Sequence, residues 1–151
     1  MILTVHILIG SIVATKTGSP ILGFLFAFLS HYFIDAIPHR EYSIQNIKEG
    51  KWKNSFKDFL KIFLDILIGF FLIIIFQGNY FLAFLGGLSA ILPDILTFLY
   101  FIFPKIKPLH LLSKFHEKTH WFNNSKIKIP LFWRISTQVL ILFLAILIFL
   151  R

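Results

Sequence analysis

Histidine and aspartate residues at helical spacing are the side chains of this sequence that could do chemistry. The sharpest group is the segment HYFIDAIPH at residues 31–39. Residues four apart share one face of a helix, so His31 and Asp35 come within reach of a single ion. Pro38 ends such a helix and can turn His39 back toward the pair. Imidazole and carboxylate together favour a divalent metal, most commonly zinc, with manganese or iron as alternatives.

Further histidines and one aspartate could join this group. His116 and His120 have the i, i+4 spacing of metal ligands on a predicted surface helix. Asp94 follows Pro93 in an apolar helix, where a carboxylate and a freed carbonyl can face a cavity. The candidate metal ligands are His6, His31, Asp35, His39, Asp94, His116 and His120. A buried His–Asp pair that only locks helices together is the alternative.

Three further acidic residues are not predicted to be metal ligands. Glu41 and Glu117 are possible general bases, although the sequence provides no geometry for either. Asp65 lies four residues after Lys61, which predicts an ion pair within one helix near the membrane surface. No residue is singled out as catalytic.

Composition places the chain among membrane proteins. Of its 151 residues, 57% are apolar and 15% charged, and the mean hydropathy is +0.80, well above that of soluble domains. The net charge of +8 would favour nucleic acid in a soluble protein. Here the basic residues cluster in loops beside apolar runs, so nucleic-acid binding is not expected. Cysteine is absent, which excludes disulfides and thiolate metal sites.

The apolar runs predict one all-α membrane domain, a bundle of four to five transmembrane helices with a short interfacial helix. The predicted spans are residues 1–15, 20–38, 58–76, 80–103 and 129–150. The first is short, so it either crosses obliquely or only enters the bilayer. No cleaved signal peptide is expected, because the first residues carry no basic region.

Loop charges predict the orientation of these spans. The loops at 39–57 and 104–128 are basic and should be cytoplasmic, which puts the N-terminus on the cytoplasmic side of the inner membrane. A tight turn at 77–79 would then lie outside. In the second loop, apolar spacing predicts a helix on the membrane surface, anchored by aromatic side chains. Its predicted apolar and anchoring residues are Leu112, Phe115, Thr119, Trp121 and Phe122.

Small residues share helix faces with the ionisable groups. Such residues let membrane helices approach closely, so the ionisable groups should face neighbouring helices and not lipid. The rows, at spacings of four, are Gly23-Ala27-His31-Asp35, His6-Gly10-Ala14 and Gly86-Ala90-Asp94.

The combined motifs resemble a family of small bacterial SOS-regulated, membrane-bound metal-dependent hydrolases. More distantly, they are similar to the helical zinc-dependent phospholipase C and nuclease group. Both show an early His, a Pro-Asp pair, an HxxxD helix and a His-rich segment that ends in Thr-His-Ser. The motif order differs, because HxxxD precedes Pro-Asp here, and HEKTHW at 116–121 replaces HRGxTHS. The resemblance implies ligand roles for His6, His31, Asp35, Asp94 and His120.

Three functions are compatible with these features. The first is a metal-dependent hydrolase acting on a phosphoester or lipid head group at the cytoplasmic leaflet. Its partners would be membrane lipid and an anionic lipid or phosphoester substrate. The second is an ion or proton transporter using the same residues as a relay. The third is a non-catalytic scaffold with a structural His/Asp cluster. Nothing in the sequence specifies an oligomer.

Overall fold

The computed structural model describes residues 1–76, 80–120 and 129–150, and in these ranges the chain is all-helical, as predicted. The helices are α1 (Leu3–Thr17), α2 (Pro20–Asp35), α3 (Gln45–Lys48), α4 (Phe56–Phe76), α5 (Tyr80–Ile102), α6 (Lys107–Thr119) and α7 (Leu131–Phe149), with a 3-10 turn at Trp52–Asn54. The predicted turn at 77–79 and the predicted anchors Trp121 and Phe122 lie outside the described residues.

Three of the helices, α4, α5 and α7, are long and apolar enough to cross a membrane. Their apolar side chains remain exposed along one face, as Phe63, Leu67 and Phe71 do on α4. In water such a surface would be unfavourable, whereas lipid accommodates it. The chain therefore has the helices of a membrane protein.

The shorter helix α1 lies at the centre of the bundle. Nine of its fifteen residues are buried, and it packs against α2, α4, α5 and α7. The apolar core around it includes Ile7, Leu8, Ile73 and Ala83. A helix surrounded by protein in this way has little surface left for lipid.

Glycines allow α1 to touch its neighbours at the backbone, as the rows of small residues predict. A Cβ atom on Gly86 would overlap the carbonyl group of Gly10, and one on Gly10 would overlap that of Gly86. Likewise, a Cβ atom on Gly23 would lie 3.0 Å from that of Ala14. The crossings of α1 with α5 and with α2 therefore require small residues.

We expect Gly86→Ala to lower the free energy of unfolding by about 1–3 kcal/mol, because the added methyl group must push α1 and α5 apart. Thermal melting in detergent measures the loss. Leu88→Ala is the matched control on the same helix, since Leu88 is half exposed and should change stability by about 0.5 kcal/mol or less. Equal losses in the two variants would contradict a backbone crossing at Gly86.

The turn between α1 and α2 brings the candidate ligands to one end of the bundle. Gly18 ends α1 with a φ of 63°, a left-handed conformation that glycine adopts without strain. The Ser19 side chain then caps α2. Because the two helices run antiparallel, His6 near the start of α1 lies beside Asp35 at the end of α2. The helix ends at Asp35 and not at Pro38, because residues preceding a proline disfavour the helical conformation.

The predicted ion pair between Lys61 and Asp65 is wrong. Asp65 caps α1 instead: its carboxylate accepts from the backbone N–H of Leu3 at 2.6 Å and of Thr4 at 3.0 Å. The physical reason is that the first N–H groups of α1 lack helical acceptors, and the residue before the helix supplies no side-chain cap. Lys61 pairs with Asp58 at 3.2 Å.

Candidate metal centre

The carboxylate of Asp35 lies at the centre of a ring of histidines. Its Oδ2 atom is 2.9 Å from His31 Nε2, 3.1 Å from His116 Nε2 and 3.3 Å from His120 Nε2. Asp35 is 1% exposed and His31 fully buried. Helix α2 carries His31 and Asp35. Helix α6 carries His116 and ends just before His120, so it brings both histidines to the end of α2.

The histidine nitrogens are as close to each other as to the carboxylate. His116 Nε2 lies 2.9 Å from His31 Nε2 and 3.3 Å from His120 Nε2. Five of the six distances among these three nitrogens and Asp35 Oδ2 therefore lie between 2.9 and 3.3 Å. Zinc bonds of about 2.0 Å in tetrahedral geometry place ligand atoms about 3.3 Å apart. His31 Nε2, His116 Nε2 and Asp35 Oδ2 are 2.9–3.1 Å apart, which is close to the spacing of three ligands around one ion, and His120 Nε2 lies 3.3 Å from the last two atoms.

The hydrogen bond of His31 implies that a proton or a metal ion lies between its Nε2 atom and Asp35. His31 Nδ1 donates to the carbonyl oxygen of Ala90 at 2.6 Å, and a carbonyl oxygen can only accept. A neutral His31 ring therefore presents an unprotonated Nε2 to the Asp35 oxygen. Two acceptors at 2.9 Å repel each other unless a proton or a metal ion lies between them. Backbone partners of this kind commonly orient metal-bound histidines.

The remaining sequence candidates lie around this core. His6 Nε2 is 3.1 Å from Asp35 Oδ1, and the His6 ring stacks on that of His31. His39 Nε2 lies 3.8 Å from Asp35 Oδ1. Asp94, one-third exposed, lies 3.7 Å from His116 Nε2. The structure thus brings all seven predicted residues together.

Three overlapping groups of these residues could each hold a metal ion, because their ligand atoms lie within 4.8 Å of one another. The groups are His6, His31 and Asp94; His31, Asp35 and His116; and Asp35, His39 and His120. The amino group of Met1 also contacts Asp35 Oδ1, at 2.6 Å.

Sequence reasoning did not assign Glu41 to this cluster. Its Oε1 atom lies 3.0 Å from His39 Nε2 and 3.0 Å from His120 Nδ1. Hydrogen bonds with His120 and His39 hold the pKa of the Glu41 carboxyl well below its usual value. In the sequence, Glu41 follows His39 by two positions, and this spacing on its own does not indicate a shared site. His110 lies apart from the centre, and its Nδ1 atom is 3.0 Å from the Tyr100 hydroxyl.

A cavity of about 740 Å3 opens beside the cluster. Its polar wall includes Glu41, Asp94, His116, Glu117 and His120, and two basic residues, Lys48 and Arg134, also line it. Its apolar wall consists mainly of Phe59, Ile62 and Ile66 of α4 and Ile91, Ile95 and Phe98 of α5. The combination of a large apolar surface with a few convergent polar groups is typical of ligand sites.

Comparisons with protein-family models, with curated proteins and with solved structures give no match for this chain.

Proposed function

We propose that this protein is a membrane-embedded, metal-dependent hydrolase that cleaves a phosphoester or a lipid head group at the cytoplasmic face of the inner membrane. The observation that carries the proposal is the close set of His31 Nε2, His116 Nε2 and Asp35 Oδ2, which are 2.9–3.1 Å apart. Zinc fits this set best, since catalytic zinc takes three imidazole or carboxylate ligands and a water. Manganese and iron are the alternatives.

A bound divalent ion would lower the pKa of a coordinated water, so that hydroxide forms near neutral pH. Asp94 borders both the cluster and the cavity, so the cavity side is the direction from which water and substrate would reach the ion. Glu117 lines the same cavity, and together with Asp94 it is a candidate to accept a proton from the water.

The shape of the cavity favours a lipid over a soluble phosphoester. The apolar wall on α4 extends from Phe59 to Ile66, about 10 Å along the helix at 1.5 Å per residue. A hydrocarbon chain would gain from contact with this wall, whereas a soluble phosphoester would not. Lys48 and Arg134 supply the positive charge that attracts a phosphate group.

The loops that predict the membrane orientation also contribute residues to the proposed site. Basic residues predict that the loop after α2 and the segment containing α6 are cytoplasmic, and both contribute to the cluster. The resemblance to membrane-bound metal-dependent hydrolases agrees with this location. Four to five membrane spans with a cytoplasmic N-terminus remain the proposed topology.

Phosphate release by the zinc-loaded protein in detergent tests the proposal. We expect release from a short-chain lipid phosphate to exceed release from p-nitrophenyl phosphate, and to disappear after chelation. His31→Ala should lower the rate at least about 100-fold, since removing even an outer partner of a metal ligand costs 10–100-fold. His110→Ala, a histidine outside the cluster, should retain it. Metal-loaded protein that releases phosphate from neither substrate would overturn the hydrolase proposal.

A further inference from the structure

The segment that follows α2 is held in place by the last helix. Three side chains on one face of α7 donate to the carbonyl oxygens of residues 38–40. The donors are Arg134 Nε to His39 at 2.7 Å, Thr137 Oγ1 to Pro38 at 2.5 Å, and Gln138 Nε2 to Arg40 at 2.5 Å. We call these three residues the α7 clamp. The clamp fixes the backbone from which His39 and Glu41 extend.

Within this segment, the Nε2 atom of His39 faces carboxylate oxygens. Its Nδ1 donates to the carbonyl oxygen of Ile37 at 2.7 Å, so a neutral ring carries its lone pair on Nε2. That Nε2 lies 3.0 Å from Glu41 Oε1 and 3.8 Å from Asp35 Oδ1. The His39 side chain is fully buried. As at His31, a proton or a metal ion between these atoms makes the arrangement favourable.

The two carboxylate oxygens of Asp35 face different residues of the cluster. Oδ2 faces His31, His116 and His120. Oδ1 contacts the Met1 amino group at 2.6 Å and His6 Nε2 at 3.1 Å, and it lies 3.8 Å from His39 Nε2. A carboxylate placed in this way can bridge two ions, and paired ions about 3.5–4 Å apart are common in enzymes that cleave phosphoesters.

We propose that His39, Glu41 and Asp35 Oδ1 form a second, outer site for a divalent cation, so that Asp35 bridges it to the inner ion. The inference rests on the proposed function and adds Glu41 to the ligands. The outer ion would bind a phosphate oxygen of the substrate, because Glu41 lines the cavity. The α7 clamp is the positioning element of this site.

Metal stoichiometry tests the outer site separately from the inner one. Zinc-loaded, gel-filtered protein in detergent should contain two equivalents by elemental analysis. Glu41→Gln should contain one. Glu49→Gln is the matched control, since Glu49 lies in the same loop and contacts Lys51 and Gln45, and it should retain two.

A second variant keeps the test valid if Glu41→Gln does not fold. Thr137→Val removes one clamp donor at similar volume, and we expect it to weaken binding of the second equivalent about 10-fold or more while the first stays bound. One equivalent in the wild type, unchanged in Glu41→Gln and Thr137→Val, would overturn the outer site and leave the inner one intact. In that case a proton shared by His39 and Glu41 would explain the contact. Metal-free wild type would instead overturn both proposals.

Discussion

Asp35→Asn is expected to empty the metal centre. Asp35 is the one residue whose two oxygens face all the histidines of the cluster, at 2.9 to 3.8 Å. The amide is nearly the same size but neutral, and only one of its two terminal atoms can accept a bond to a cation. We expect affinity for zinc to fall at least about 100-fold, with hydrolysis lost in parallel.

Elemental analysis and thermal melting of the same preparations separate a metal site from a structural pair. If Asp35 holds an ion, the variant loses the metal, and its melting temperature should match that of chelated wild type. If the cluster only locks helices together, the wild type contains no metal and the variant melts well below it. Asp58→Asn is a suitable control, because this buried carboxylate at the start of α4 contacts Asn46 and Lys61 away from the cluster. We expect it to retain the metal.

Asp65→Ala is expected to be the most destabilising substitution outside the metal centre. Two backbone donors, the N–H groups of Leu3 and Thr4, depend on this carboxylate, whereas the hydroxyl of Thr4 can donate either to it or to the Asp65 carbonyl oxygen. Loss of a helix cap costs about 0.5–2 kcal/mol, and each buried donor left without an acceptor adds about 1–3 kcal/mol. A loss of at least about 2 kcal/mol should follow.

Denaturation in mixed detergent micelles measures this loss, and Lys61→Ala serves as its control. The lysine ammonium is part-exposed and pairs with Asp58, so its removal should cost about 1 kcal/mol or less. Similar losses of stability in the two variants would contradict a helix-capping role for Asp65. They would instead support the Lys61–Asp65 ion pair that the sequence spacing predicts. Metal content should stay unchanged in both, because neither residue contacts the histidines.

Much of the fold could be read from local patterns. The described helices follow the predicted spans to within a few residues at most ends, because long apolar runs and the prolines at 20 and 38 limit where helices start and stop. The rows of small residues predicted the close crossing of α1 and α5 at Gly10 and Gly86. Those signals depend on neighbours in the chain or on one helix face.

The partners of polar groups could not be predicted in the same way. Asp65 has a lysine four residues away, yet it binds backbone groups more than 60 residues distant. Glu41 gains its importance from His120, and the backbone at His39 is held by Arg134. For Asp65, the distant partners are backbone N–H groups that would otherwise be buried without a hydrogen bond, which is costly in an apolar environment.

The sequence by itself determined an all-helical chain with membrane-type helices and seven candidate ligands, four of which, His6, His31, Asp35 and Asp94, it placed on the faces that pack together. Only the tertiary structure decided that these residues meet around Asp35, that Asp65 caps α1, and that Glu41 and the α7 clamp belong with the cluster. The physical reason is the distance along the chain over which each signal acts. Helical periodicity is local and repeats every few residues, whereas a hydrogen bond or a metal ligand is chosen by whichever group the packing of distant helices brings within about 3 Å.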